Sequence, residues 1–139
     1  LLQIDKIDGF IKSRQSNAKK YFNELESLSD FFTFQVTTKN SENTHFGFPL
    51  VCKNNKFFTR DEICSFLNSN GIETRPIIAG NLARQPANSL FEHRISGELN
   101  NSDYIMDNGF SVGVHQSLSS DAIYYVTGKI KEFIKLREK

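Results

Sequence analysis

Residues 59–78 read TRDEICSFLNSNGIETRPII, and this stretch holds a complete helix and the start of a strand. Thr59-Arg60-Asp61-Glu62 is a capping box: the threonine hydroxyl accepts from the backbone N–H three residues on, while the glutamate carboxylate reaches back to the threonine N–H. Ile63, Phe66 and Leu67 then recur at helical spacing, giving one inward stripe. Phe58 and Ile63 stand at the positions of a hydrophobic staple. Asn70-Gly71 is a left-handed stop, and Ile72 to Ile78 follows as a strand.

Working outward toward the N-terminus, residues Phe31 to Thr38 and His45 to Lys53 alternate apolar and polar. Phe32, Phe34 and Val36 share one face, and so do Phe46, Phe48, Leu50 and Cys52, which predicts two strands. The polar run 39–44 between them makes an antiparallel hairpin the expectation. Pro49 has no N–H to donate, so its strand should be an edge there or carry a bulge. Ahead of the hairpin, Ile4, Ile7, Phe10 or Ile11, Ala18, Tyr21 or Phe22, Leu25 and Leu28 mark a long helix, which Asp8-Gly9 could kink or divide.

Toward the C-terminus, Ser102-Asp103 is expected to cap a short helix through Met106 that stops at Asn108-Gly109, before a brief strand from Phe110 to Val114. Ser119 caps the last helix, with a Leu118–Ile123 staple and a stripe of Ile123, Val126, Ile130, Phe133 and Ile134. Helices and strands with one apolar face each must bury those faces on one another. The predicted fold class is therefore α+β: a two-layer sandwich of a small, mostly antiparallel sheet against two long helices and one or two shorter ones.

A chain of 139 residues supports one hydrophobic core. Its 17 basic and 16 acidic side chains create no field that gathers nucleic acid or anionic lipid, and no apolar run approaches the roughly 20 residues a bilayer span needs. These features predict a soluble, cytoplasmic protein without nucleic-acid or membrane partners. Cys52 and Cys64 lack paired spacing and read as free thiols in a reducing compartment. Leu1-Leu2-Gln3-Ile4 enters the helical rhythm with no initiator Met or signal pattern, which suggests that more chain precedes it.

Catalytic machinery is sparse. His45, His93 and His115 have no ligand companions at metal-site spacing, and Asp61-Glu62 and Glu24/Glu26 fit capping and surface roles. Ala79-Gly80-Asn81 is no phosphate fingerprint. The segment Lys53 to Arg60 mixes basic and aromatic residues as single-strand binders do, yet its aromatics match the staple and the core face. What remains is the loop to Pro86. Pro76 fixes an extended backbone at the residue before it, Arg75, and Gly80-Asn81 permits a turn that could aim Asn81 and Arg84 in one direction. A guanidinium matches phosphate or carboxylate geometry. The simpler alternative pairs Arg75 with an acid on a neighbouring element and leaves Arg84 solvated.

Four phrases, Phe46-Gly47-Phe48-Pro49, Gly71-Ile72-Glu73-Thr74-Arg75-Pro76, Ala79 through Pro86 (AGNLARQP) and Asp103 through Phe110 (DYIMDNGF), resemble the C-terminal part of the DegT-type nucleotide-sugar aminotransferases and dehydrases, a branch of the fold-type-I pyridoxal-phosphate enzymes. The start, from Gln3 to Asn17, resembles the helix that leads from that family's large domain into its small one. The resemblance implies that residues 1–28 are an interdomain helix, that 29–139 are the α+β body, and that the whole is one C-terminal small domain.

The AGN form of the loop is similar to the CDP-4-dehydro-6-deoxyglucose 3-dehydrases of deoxysugar and lipopolysaccharide biosynthesis. These use the pyridoxamine (PMP) form of the cofactor, with reduction by an electron-transfer partner. The resemblance then implies that PMP or PLP, any iron–sulfur ligands and the catalytic residues belong to the large domain, and that the intact protein is a homodimer. Asn81 and Arg84, with Arg75 behind or beside them, would face the nucleotide sugar or the cofactor cleft. A PLP-dependent sugar aminotransferase, with lysine where the dehydrases carry histidine, is the alternative; a stand-alone binding module is a second.

Overall fold

Helix α2, Arg60–Ser69, begins where its capping box closes. In a computed structural model, which describes residues 2–54 and 56–138, Thr59 N donates to Glu62 Oε2 at 2.8 Å and Glu62 N donates to Thr59 Oγ1 at 3.4 Å. Two expectations touch residues outside that description, Leu1 at the head of the apolar rhythm and Asn55 within the basic-aromatic segment. Thr59→Ala removes the cap and is expected to lower stability by about 1 kcal/mol, read from the denaturant midpoint. Gly71 ends the helix at φ +74°, a conformation that glycine adopts without Cβ strain.

The strands β1 (Phe32–Phe34), β2 (Phe48–Cys52), β3 (Thr74–Pro76) and β4 (Gly109–Val112) form a sheet of order β1-β2-β4-β3. All three pairings are antiparallel, with Phe34 opposite Leu50, Leu50 opposite Phe110, and Pro76 opposite Phe110. The predicted hairpin is present, with shorter strands than the alternation suggested. Pro49 sits in an interior strand rather than an edge, for a local reason. Lys53 N donates to Phe31 O, so by the two-residue period Val51 and Pro49 also turn their backbone groups toward β1. The pairing with β1 ends at Leu50, and the missing N–H of Pro49 therefore faces no partner strand.

Helix α1, Ile7–Leu25, follows a 3₁₀ turn at Ile4–Lys6 and runs through Gly9 without a break. Its buried residues are Asn17, Ala18, Tyr21 and Leu25. Ile4 and Ile7, which the rhythm placed on the core face, are exposed. Helix α4, Ser120–Arg137, is capped as predicted by Ser119, whose Oγ accepts from Ala122 N at 3.1 Å. Ile123, Ile130, Phe133 and Ile134 are buried and Val126 packs beside them.

Helix α3, Asn100–Asn108, starts earlier than expected: Leu99 is its N-cap, without a side-chain bond, and Ser102-Asp103 lies inside the first turn. The Asp103 carboxylate is free to serve elsewhere.

The core joins Tyr21 and Leu25 of α1, Ile63 and Leu67 of α2, and the α4 stripe to Phe32, Phe48, Leu50, Phe110 and Val112 of the sheet. Tyr21 stacks on Phe48 with ring centroids 5.0 Å apart. This is the α+β arrangement that the element order implied. Cys52 and Cys64 are free; burial pushes the Cys52 thiol up to about 12 and raises that of Cys64. Among the described residues no helix is long and apolar enough to cross a membrane, and no cluster of three His, Cys, Asp or Glu could hold a metal ion.

Candidate functional site: a groove on the open sheet face

The two-residue period of the strands sorts their side chains. Phe48, Leu50 and Cys52 are buried toward the helices, while Pro49 and Val51 point the other way. Pro49, Ser111 and Arg75 lie opposite one another across β2, β4 and β3, so they share the face that the core does not use. They form part of an open groove of about 1030 Å³, whose walls include His45, Phe46, Ile78, Gly80, Gln85 and Met106.

Arg75 is thus in the groove, strongly exposed and paired with Glu73. Arg60, a second guanidinium of the lining, donates through Nη1 to Met106 O at 3.0 Å and through Nε to Asp61 Oδ1 at 2.8 Å. The exposed Arg75–Glu73 pair is of the kind that contributes little to stability.

The loop beyond β3 is built around Gly80. Its φ is +69°, its N donates to Ile77 O at 2.8 Å, and a Cβ there would stand 2.9 Å from Met106 Cγ. Asn81 follows as the cap of a 3₁₀ turn, Leu82–Arg84, with Oδ1 accepting from Ala83 N at 3.1 Å. Its Nδ2 donates to Asp103 Oδ1 at 2.7 Å. Arg84 grips the same carboxylate bidentately, Nε to Oδ1 at 3.0 Å and Nη2 to Oδ2 at 2.8 Å.

Asn81 and Arg84 are brought together as the sequence suggested, but on an internal acid, and they flank the groove rather than line it. Arg75 stands apart from this cluster. Arg84 is not merely solvated, and Arg75 pairs with an acid of its own segment, Glu73, rather than with one on a neighbouring element.

Sequence reasoning assigned Asp103 to a helix cap and missed this role. Helical spacing places Asp103 on α3, but no local pattern signals that α3 meets a loop some 20 residues earlier in the chain. The hydrogen bonds from Arg84 and then from Asn81 hold the Asp103 carboxyl down at about 2. A carboxyl whose folded value is depressed stabilises the fold fully above its unfolded value of about 4, and that contribution is lost as pH falls from there through about 2. Between pH 4 and pH 2 the wild-type melting temperature is therefore expected to fall further than that of Asp103→Asn. Parallel falls would show that the cluster contributes no pH-dependent stability.

His45 was dismissed in the sequence as an isolated histidine, and the structure gives it a specific setting. Its φ is +51°, its N donates to Asn43 Oδ1 at 2.8 Å, and its carbonyl accepts from Arg14 Nη1 at 3.4 Å. Ring Nδ1 is buried without a hydrogen-bond partner, and burial lowers the ring pKa.

Residues 1–131 match the DegT/DnrJ/EryC1/StrS aminotransferase family. The chain belongs to that family. The lipopolysaccharide biosynthesis protein RfbH of Salmonella typhimurium is 34% identical over 136 residues, an alignment covering 98% of this chain and 31% of RfbH. GDP-4-keto-6-deoxy-D-mannose-3-dehydratase of E. coli, solved with bound hydrated PLP, superposes with a TM-score of 0.82 at 30% identity over 91% of this chain and 32% of that one. A variant GDP-4-keto-6-deoxymannose-3-dehydratase with bound GDP-perosamine gives 0.83 at 30% identity, covering 92% of this chain and 33% of that one. The chain thus spans about a third of the length of these DegT-family relatives, which include nucleotide-sugar 3-dehydratases, and it aligns with the C-terminal part of the larger proteins.

Proposed function

We propose that this chain is the C-terminal small domain of a PMP-dependent nucleotide-sugar 3-dehydratase, with residues 1–28 as interdomain helix and 29–139 as body. It supplies the wall of the substrate cleft, and it is inactive by itself. The observation that carries this reading is the open groove on the unpacked sheet face, bordered by a loop that Asp103 holds rigid through Asn81 and Arg84. Arg75 and Arg84 are the substrate-facing residues of this proposal, whereas Asn81, expected to join them, is buried with both ends of its amide spent on Ala83 and Asp103 and holds the loop that carries Arg84. A part that closes over a reaction centre held elsewhere needs such donors and no base of its own.

The donors of the groove do not fit a complete pyridoxal-phosphate cradle. Among the described residues its acidic lining residue, Glu73, is already paired with Arg75, so the groove offers no free carboxylate for a pyridinium nitrogen. That chemistry supports placing the cofactor in the remainder of the protein, and the proposal puts the homodimer contacts and the site for an electron-transfer reductase there as well.

Among nucleotides, the AGNLARQP phrase favours a CDP-linked 4-keto-6-deoxy sugar. The full-length protein, given PMP and a reducing system, is expected to convert such a sugar to the 3-deoxy product, and parallel assays with GDP- and dTDP-linked sugars rank the nucleotide. Formation of an amino sugar with glutamate as donor would instead support the aminotransferase reading that the family's other members suggest. Pyridoxal absorbance retained by the isolated chain after desalting would overturn the placement of the cofactor.

A further inference from the structure

His45 combines three features that are costly unless something uses them. Its backbone is left-handed, a conformation uncommon for a residue with a Cβ. It is clamped there from two sides: Asn43 takes its N–H, and Arg14 of α1 holds its carbonyl while donating through Nε to Gln116 Oε1 at 3.0 Å. Strain over-determined by its surroundings in this way clusters at ligand clamps. Among the described residues, Nδ1 of His45 is also a buried side-chain polar atom lacking a partner, the kind of exception that calls for a functional account.

The orphan nitrogen fixes the tautomer. A buried N–H without an acceptor is rarer and costlier than a buried lone pair without a donor, so Nδ1 carries the lone pair and the proton resides on Nε2. Burial disfavours the cation, and Nε2 carries its proton in that tautomer and in the cation alike, so the donor is permanent. His45 lines the groove next to Phe46, which is 84% exposed. The half-buried ring therefore presents one hydrogen-bond donor beside an apolar face.

We propose that His45, through Nε2–H, donates a hydrogen bond from the groove wall to an acceptor oxygen of the nucleotide sugar. The inference rests on the reading of the groove as a nucleotide-sugar cleft. The acceptor is a phosphate or base oxygen of the nucleotide half, or a carbonyl or hydroxyl of the hexose.

The test uses the full-length protein with CDP, GDP and dTDP and their 4-keto-6-deoxy sugars, whichever pair the wild type binds by calorimetry. Nitrogen-15 spectra of histidine-labelled protein are expected to show the Nε2–H tautomer for His45 and a shift of its Nε2 signal when the nucleotide sugar is added. In His45→Gln the amide nitrogen reaches the place of Nε2, and Kd is expected to stay within about threefold of wild type. In His45→Asn the amide reaches only the place of Nδ1, and Kd is expected to rise about tenfold.

Asparagine tolerates a left-handed backbone better than glutamine, so melting temperatures should rank the two variants the other way round. A purely structural role would make both orders agree. Weakening already seen with the nucleoside diphosphate puts the acceptor on the nucleotide half; weakening confined to the nucleotide sugar puts it on the hexose. An Nδ1–H tautomer, or an asparagine variant that binds like wild type, overturns the role of His45 and leaves the cleft reading intact. No binding by wild type overturns the cleft reading and the inference with it.

Discussion

Phe110→Ala is expected to cost about 3–5 kcal/mol of folding stability. Phe110 is 1% exposed and sits in β4 with Leu50 opposite it on one side and Pro76 on the other. Its ring meets that of Phe32 edge-on at 6.4 Å, and truncation leaves a cavity in the core that the rigid sheet cannot close. A domain is stable by only about 5–15 kcal/mol, so the loss is a large fraction of the total. The urea midpoint should fall with the slope unchanged, which marks a loss of stability rather than a change in the unfolded chain. Phe110→Leu, which keeps most of the volume, should recover more than half the loss. A fall of under 1 kcal/mol for the alanine variant would mean that the sheet is not packed as described.

Arg84→Ala in the full-length protein is expected to lower kcat/KM for the nucleotide sugar by about ten- to a hundredfold, the range for losing a charge-assisted hydrogen bond. Asp103 engages Nε and Nη2 of Arg84, and among the described residues Nη1 has no partner, so the fork is oriented with one edge still available. Arg84→Lys keeps the charge but not the bidentate geometry and should recover little. Asp103→Asn should give a partial version of the same defect, because it loosens the guanidinium without removing it. Arg75→Ala should cost less, since that guanidinium is exposed and already shares its charge with Glu73. Unchanged kcat/KM in Arg84→Ala would reduce the loop to a structural connection.

These two variants probe parts of the protein that differ in how far the chain announces them. The Thr59 capping box, the Ser119 cap, the α4 stripe and the β1–β2 hairpin were legible because each depends on residues within a few positions of one another. The bond from Thr59 N to Glu62 spans three residues, and such contacts form whenever the local backbone turns helical. The apolar rhythm overreached at Ile4 and Ile7 because periodicity reports a face and not what lies against it. Arg75, Asn81 and Arg84 were picked out by residue type and turn chemistry, which is local information as well.

Other features depended on which elements become neighbours. Asp103 read as a cap because Ser102-Asp103 stands at the start of a short helical pattern, yet its carboxylate is spent on Arg84, 19 residues away. The groove exists because Pro49, Ser111 and Arg75, from three separate segments, fall on one unpacked sheet face. His45 gained its significance from Arg14, 31 residues earlier. Local spacing, through hydrogen bonds that close within one turn or one strand pair, determined the helices, the capped starts of α2 and α4 and the α+β class. Burial against distant segments decided the site, since only the packed chain settles which charges meet and which polar atoms lose water.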